Sequence, residues 1–220
     1  MNDLAKRFGP RVITGFVLGT LFWAIYFFLP AHVLTGLLVL ALIRILHFEW
    51  PVICPIRKPF CWLFAPFYPI FPFILMIDMN EQAIYRPLLF FAFALAPAFD
   101  TGSYVVGKAL GRHSLCSISP DKTWEGFFGG VAAVLATLGM LLWPDMRAIM
   151  VLTPIVSVVA LVGDLFESWF KRRAGVKDAG TLLPGHGGLL DRFDSVIAVV
   201  MLSYLMRDYL VPLLANTVIA

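Results

Sequence analysis

What most limits the fold of this chain is a series of long apolar stretches, at residues 12–29, 31–48, 60–77, 87–106, 126–143, 148–165 and 195–214. Each approaches the roughly 20 residues that an α-helix needs to cross the hydrocarbon of a bilayer. The expectation is an all-α fold, a polytopic transmembrane helical bundle of about seven spans. Pro66, Pro69 and Pro72 predict a kinked or broken third span. Arg207 and Asp208 interrupt the last stretch, which reads either as one span or as a span followed by a surface helix. Only 14% of the residues are charged and 60% are hydrophobic, against about 25% charged in soluble domains. An ordinary soluble domain, a disordered chain and a nucleic-acid-binding module are thereby excluded.

Lys6, Arg7 and Arg11 precede the first stretch, as in a signal peptide. The run is longer than a usual signal core and no A-x-A site follows, so it reads as an uncleaved transmembrane helix. With a cytoplasmic N-terminus, segments 1–11, 49–59, 107–125 and 166–194 face the cytoplasm and hold 13 of the 17 Lys and Arg. The excess of basic residues on one side predicts that orientation. The reading is one integral membrane domain over 1–220, with lipid-facing spans in 1–86 and a site region in 87–220. Cys54, Cys61 and Cys116 have neither framework nor metal-pair spacing and read as packing residues. His32, His47 and His113 share no ligand spacing, and Arg44 reads as a snorkelling residue or a contact to an anionic headgroup.

The polar residues gather in three segments. Asp164, Glu167, Ser168 and Lys171 fall at i, i+3, i+4 and i+7, on one face of a continued sixth helix. A carboxylate at a bilayer edge is costly unless paired or bound to a cation. Two readings stay open: a structural pair of Lys171 with Asp164 or Glu167, or a metal ligand at Asp164 beside a cationic clamp. The second segment runs from Lys177-Asp178 through Pro184-Gly185-His186-Gly187-Gly188 to Asp191-Arg192-Phe193-Asp194-Ser195. Its glycines would let backbone N–H groups approach a phosphate, and its acids are hard ligands suited to Mg²⁺. The third holds Asp100-Thr101-Gly102-Ser103-Tyr104, Lys108, Arg112 and Ser119-Pro120-Asp121-Lys122-Thr123-Trp124-Glu125-Gly126. Its cations and hydroxyls suit phosphate oxygens, although Ser119-Pro120 also reads simply as a helix start.

The run Ser168-x-Phe170-Lys171-Arg172-x4-Lys177-Asp178-x-Gly180-x2-Leu183-Pro184-x-His186-Gly187-Gly188-Leu189-x-Asp191-Arg192-Phe193-Asp194 resembles the signature of the phosphatidate cytidylyltransferases (CDP-diacylglycerol synthases). The Asp100–Tyr104 and Ser119–Gly126 segments are similar to that family too, so the likeness covers about the last 120 residues. Two departures stand out. Asp121 replaces a more usual Lys or Asn, and the chain is shorter than many bacterial members.

The resemblance implies transfer of CMP from CTP to phosphatidic acid, giving CDP-diacylglycerol and pyrophosphate at the cytoplasmic face of a bacterial inner membrane. It implies Mg²⁺, with room for a second divalent or monovalent cation, held by Asp164 and Asp191. Asp164, Lys171, Arg172, Lys177, Asp178, His186, Asp191 and Asp194 would form the catalytic set. Asp100, Ser103, Lys108, Ser119, Lys122, Thr123, Glu125, Glu167, Ser168, Gly187, Gly188 and Arg192 would bind substrate. A CTP-dependent lipid-alcohol kinase is the nearest alternative and a transporter a more distant one. Oligomeric state is open, a homodimer being one arrangement.

Overall fold

The computed structural model describes residues 19–55, 62–180, 182 and 187–218, and these form helices and connecting turns without a strand beyond one isolated bridge between Ser114 and Thr123. Helix α1 is Gly19–Phe28 and α2 is Ala31–Ile53, the latter widened by a π-helical turn at Ile45–Glu49. A second π-helical turn, Pro66–Ile70, leads into α3, Phe71–Glu81. Then come α4 Arg86–Leu110, α5 Trp124–Leu142, α6 Met146–Ala174, α7 Leu190–Leu205 and α8 Arg207–Val218.

Local chemistry sets the helix ends. The Thr123 side chain accepts from the Gly126 N–H at the start of α5, and Asp145 accepts from the Ala148 N–H at the start of α6, satisfying donors that lack an intrahelical partner. Helix α6 ends at Gly175, whose φ of 78° is the left-handed conformation that glycine adopts cheaply. Lys171, Arg172 and Arg173 occupy its last turn, where the helix dipole favours cations.

Among the described residues four helices (α2, α4, α5 and α6) are long and apolar enough to span a bilayer, or five spans if α7 and α8 count as one. The expected last span is bent by 89° at the break before Arg207, where the charged pair falls. The expected third span is broken, as its prolines require: α3 has 11 residues, a rise of about 17 Å that falls short of the hydrocarbon. The N-terminal part of the first stretch, with Lys6, Arg7 and Arg11, lies outside the described residues. Large apolar side chains line the perimeter, Met140 at 88% exposure and Phe28 at 85%, a surface suited to lipid rather than water.

Apolar surface alone does not hold helices together in lipid, so close van der Waals fit must. The buried stripe of α5, Gly126, Gly130, Val134, Leu138 and Leu142, repeats every fourth residue. A Cβ on Gly102 of α4 would meet the Gly129 carbonyl oxygen at 2.6 Å, so the two helices approach backbone to backbone. Gly163 plays the same part between α6 and α7.

One reading of the cysteines is corrected. Cys54 is buried and disulfide-bonded, while Cys116 is free; an odd cysteine count does not forbid a single bond. Cys61 lies outside the described residues. Arg44 stacks over the Phe48 ring at 4.5 Å.

Candidate active site

The polar segments meet at the end of the bundle where α4 and α6 finish and α5 and α7 begin. The predicted face of α6 is realised: Lys171 donates to Glu167 at 2.8 Å, and the Ser168 hydroxyl donates weakly to Asp164 at 3.4 Å. Lys171 also donates to Asp191 Oδ1 of α7 at 2.7 Å. Of the structural pairs considered from spacing, Lys171–Glu167 forms; Asp164 pairs instead with Lys122, just ahead of α5. On the next face, the Ser195 hydroxyl donates to Asp100 Oδ2 at 2.5 Å, joining α7 to α4.

Asp191 is nearly surrounded. Besides Lys171, it accepts from the Ala179 N–H at 3.0 Å and the Gly188 N–H at 2.6 Å. Gly187 has φ of 76°, and a Cβ there would lie 2.5 Å from Asp191 Oδ2, so this position takes no larger residue without displacing the carboxylate. The Gly188 N–H, expected to face a ligand, is spent on Asp191. The reason is that a carboxylate one helical turn away is the nearest strong acceptor. Asp194 is buried and accepts from the Ser195 N–H at 2.7 Å.

Thr123 and Glu125, expected to bind substrate, have structural partners. Thr123 caps α5, and Glu125 accepts from the backbone N–H groups of Arg112 and His113 and pairs with the His113 ring at 2.6 Å. Both act on their nearest backbone donors, which tie the 111–123 loop down. The Ser119 carbonyl accepts from the Lys122 N–H, closing the turn that carries Lys122 to Asp164. Ser103 has a buried hydroxyl without a partner. Lys108, Arg172, Lys177, Asp178 and Arg192 are exposed at the rim. Arg172 donates to the Val176 carbonyl at 3.3 Å and lines, with Arg173, Trp169 and Ser117, a shallow groove of about 510 Å³. His186 lies outside the described residues.

Two residues missed from the sequence reach this cluster from the N-terminal part of the chain, so the division at residue 87 does not isolate the site. Glu49, at the π-helical turn of α2, accepts from the Leu189 and Leu190 N–H groups at 2.8 and 2.7 Å. Tyr68 is buried, and its hydroxyl lacks a partner while lying in the field of Glu167, Asp194, Asp164 and Asp191. The signal for Glu49 was present: a lone acid closing an apolar run needs a partner as much as Asp164 does.

In charge, five carboxyl groups (Asp100, Asp164, Glu167, Asp191 and Asp194) gather around Lys122 and Lys171. Glu167 Oε1 is buried without a partner. Among the described residues no three His, Cys, Asp or Glu side chains converge as a ready cation cage. The excess of hard oxygen donors nevertheless fits Mg²⁺, which commonly takes one or two carboxylates and completes its shell with water and substrate phosphate. The Lys122–Asp164 pair is the more open of the two, with side chains 21% and 26% exposed against 11% and 5% for Lys171–Asp191.

The described residues thus form a helical bundle with an apolar perimeter and a charged cluster at one end, the build of a membrane protein. A model of the cytidylyltransferase family matches residues 54–210, and the chain belongs to that family. It is 46% identical over 120 residues to a phosphatidate cytidylyltransferase of Staphylococcus epidermidis, covering 52% of this chain and 46% of that protein. It is 42% identical over 136 residues to the phosphatidate cytidylyltransferase of Staphylococcus aureus strain COL, covering 59% and 52%. The chain thus spans about half the length of the curated relatives it matches.

Proposed function

We propose that the chain transfers the cytidylyl group of CTP to phosphatidic acid, yielding CDP-diacylglycerol and pyrophosphate, at the cytoplasmic face of a bacterial inner membrane. The observation that carries the reading is the joining of the three polar segments by the Lys122–Asp164, Lys171–Asp191 and Ser195–Asp100 contacts at one end of an apolar bundle. An apolar groove of about 620 Å³, lined by Trp23, Phe93, Pro97, Thr101 and Val105, runs along α4 and suits an acyl chain. The N-terminus faces the cytoplasm, and the spans number about seven once the first apolar stretch and the broken third one, residues 60–77 taken whole, are counted.

A phosphate oxygen of phosphatidic acid attacks the α-phosphorus of CTP; the new P–O bond forms as the bond to the β-phosphate oxygen breaks, and pyrophosphate leaves. The nucleophile is already ionised, so positioning and charge neutralisation take the place of a general base. Lys122 and Lys171, now held by carboxylates, neutralise phosphate, with Arg172 and Lys177 at the rim. Asp164 and Asp191 are the residues that would hold Mg²⁺. When bound, the cation neutralises the triphosphate and favours the leaving group.

The test is to incubate the purified chain in detergent with radiolabelled CTP, phosphatidic acid and Mg²⁺. Labelled CDP-lipid and free pyrophosphate are expected, both abolished by EDTA and restored by excess Mg²⁺. Release of CDP with a phosphorylated lipid alcohol would instead identify a kinase.

A further inference from the structure

Helix α7 carries the acids of the site yet supplies no cap of its own: Leu189 precedes it, without a side-chain hydrogen bond. The first amides of a helix have no intrahelical acceptor and need one from elsewhere. Here the acceptor comes from a residue about 140 positions earlier. Glu49 Oε1 takes the Leu189 N–H and Oε2 takes the Leu190 N–H, so a single carboxylate spans the first turn. Its negative charge lies at the positive end of the helix dipole.

Glu49 is 1% exposed, and its neighbour Trp50 is fully buried. Glu49 closes the π-helical turn at Ile45–Glu49, with the Trp50 N–H reaching back to the Ile45 carbonyl. Such turns add a residue to a helical turn and recur at functional sites. Two glycines of the 178–190 segment fit around the carboxylate. A Cβ on Gly188 would lie 2.7 Å from Glu49 Oε2, and one on Gly180 would lie 3.1 Å from its Cγ. Both glycines thus leave room for Glu49.

Asp191 stands one residue beyond Leu190 and takes the Gly188 and Ala179 amides while pairing with Lys171. Glu49 and Asp191 together bind the inward amides of residues 179 and 188–190. Among the described residues, Glu49 ties that turn to α2, outside the cluster.

We infer that Glu49 is a positioning residue, which caps α7 from the second helix and so sets where Asp191, Asp194 and Ser195 stand against Lys171 and Asp100. The inference rests on the cytidylyl transfer proposed above for its catalytic consequence, but its structural half stands on the hydrogen bonds alone.

The experiment uses the full chain in detergent and compares wild type with Glu49→Gln and Glu49→Asp. Gln keeps the size but turns a donor toward a backbone donor; Asp keeps the charge but is shorter by a methylene. Turnover at saturating CTP and phosphatidic acid falls on the order of 100-fold in Glu49→Gln, the loss that a displacement of about 1 Å produces. KM for both substrates changes little, and Glu49→Asp recovers part of the turnover. In parallel, hydrogen exchange read by mass spectrometry rises about tenfold or more at Leu189 and Leu190 in Glu49→Gln, with peptides of α5 unchanged.

Turnover per folded molecule within twofold of wild type would overturn the inference. So would exchange that rises evenly across the chain, which would make Glu49 a general staple. If the wild type forms no CDP-lipid, the functional reading has failed and the exchange measurement decides alone. Unchanged exchange at Leu189 and Leu190 then overturns the capping.

Discussion

Lys171 is held by two carboxylates from different helices, at 2.8 Å from Glu167 and 2.7 Å from Asp191. Removing it leaves two buried acids facing each other, and breaking such a pair from one side costs about 3–5 kcal/mol. Lys171→Ala is therefore expected to lower thermal stability in detergent as well as turnover, and a thermal aggregation assay beside the lipid-product assay separates the two losses. Tyr68 predicts the opposite pattern. Its buried hydroxyl has no partner, so Tyr68→Phe removes a desolvated group that gives nothing back, and stability holds or rises within about 1 kcal/mol. If the hydroxyl serves an arriving phosphate, turnover falls in the same variant. Unchanged turnover would take Tyr68 out of the site.

Among elements, the contact of α6 with α7 governs the cluster, and Gly163 is a point of close approach in it. A Cβ there would lie 2.6 Å from Ala198 Cβ and 2.7 Å from the Asp194 carbonyl oxygen. Gly163→Ala is expected to push the helices apart at a cost of about 1–3 kcal/mol and to lower turnover, because the displaced backbone belongs to Asp194. Gly139 is the control: nothing lies within 4 Å of a Cβ there, so Gly139→Ala should stabilise α5 by about 0.5–1 kcal/mol and leave turnover unchanged. These helices were legible because their signals are local. The spacing of Asp164, Glu167, Ser168 and Lys171 is a property of one helix, and the prolines at 66, 69 and 72 break theirs wherever it packs. Partner choice was not legible. Lys122 meets Asp164, and Ser195 meets Asp100, only once four helices are assembled. Thr123 looked like a phosphate ligand by residue type and Glu125 a substrate residue by resemblance, and only the fold shows Thr123 capping α5 and Glu125 held by the Arg112 and His113 backbone and the His113 ring. Glu49 and Tyr68 belong to no motif: the lone acid at Glu49 announced the need for a partner, but which partner it takes, like the placing of Tyr68, arises from packing.

For the whole molecule, the arrangement of charge within the membrane leads to a test of sidedness. The 111–123 loop and the start of α7 lie at the same end of the bundle, because Lys122 reaches Asp164 and Lys171 reaches Asp191. Glu49 brings the end of α2 there as well. If that end is cytoplasmic, Cys54 sits near a reducing compartment, where disulfides rarely persist. Its bond should then be reduced in growing cells, and alkylation before lysis should trap Cys54 as a thiol. Cys116 reports sidedness directly, being a free, partly exposed thiol on the 111–123 loop. A variant carrying Cys54→Ser and Cys61→Ser retains Cys116 as its one cysteine. A membrane-impermeant maleimide should label it in inside-out vesicles but not in right-side-out ones. CTP is a cytoplasmic polyanion that does not cross lipid unaided, so a site that uses it must open on that side. Labelling in right-side-out vesicles would put the charged cluster on the outer face, and cytidylyl transfer from cytoplasmic CTP would no longer be possible for this chain.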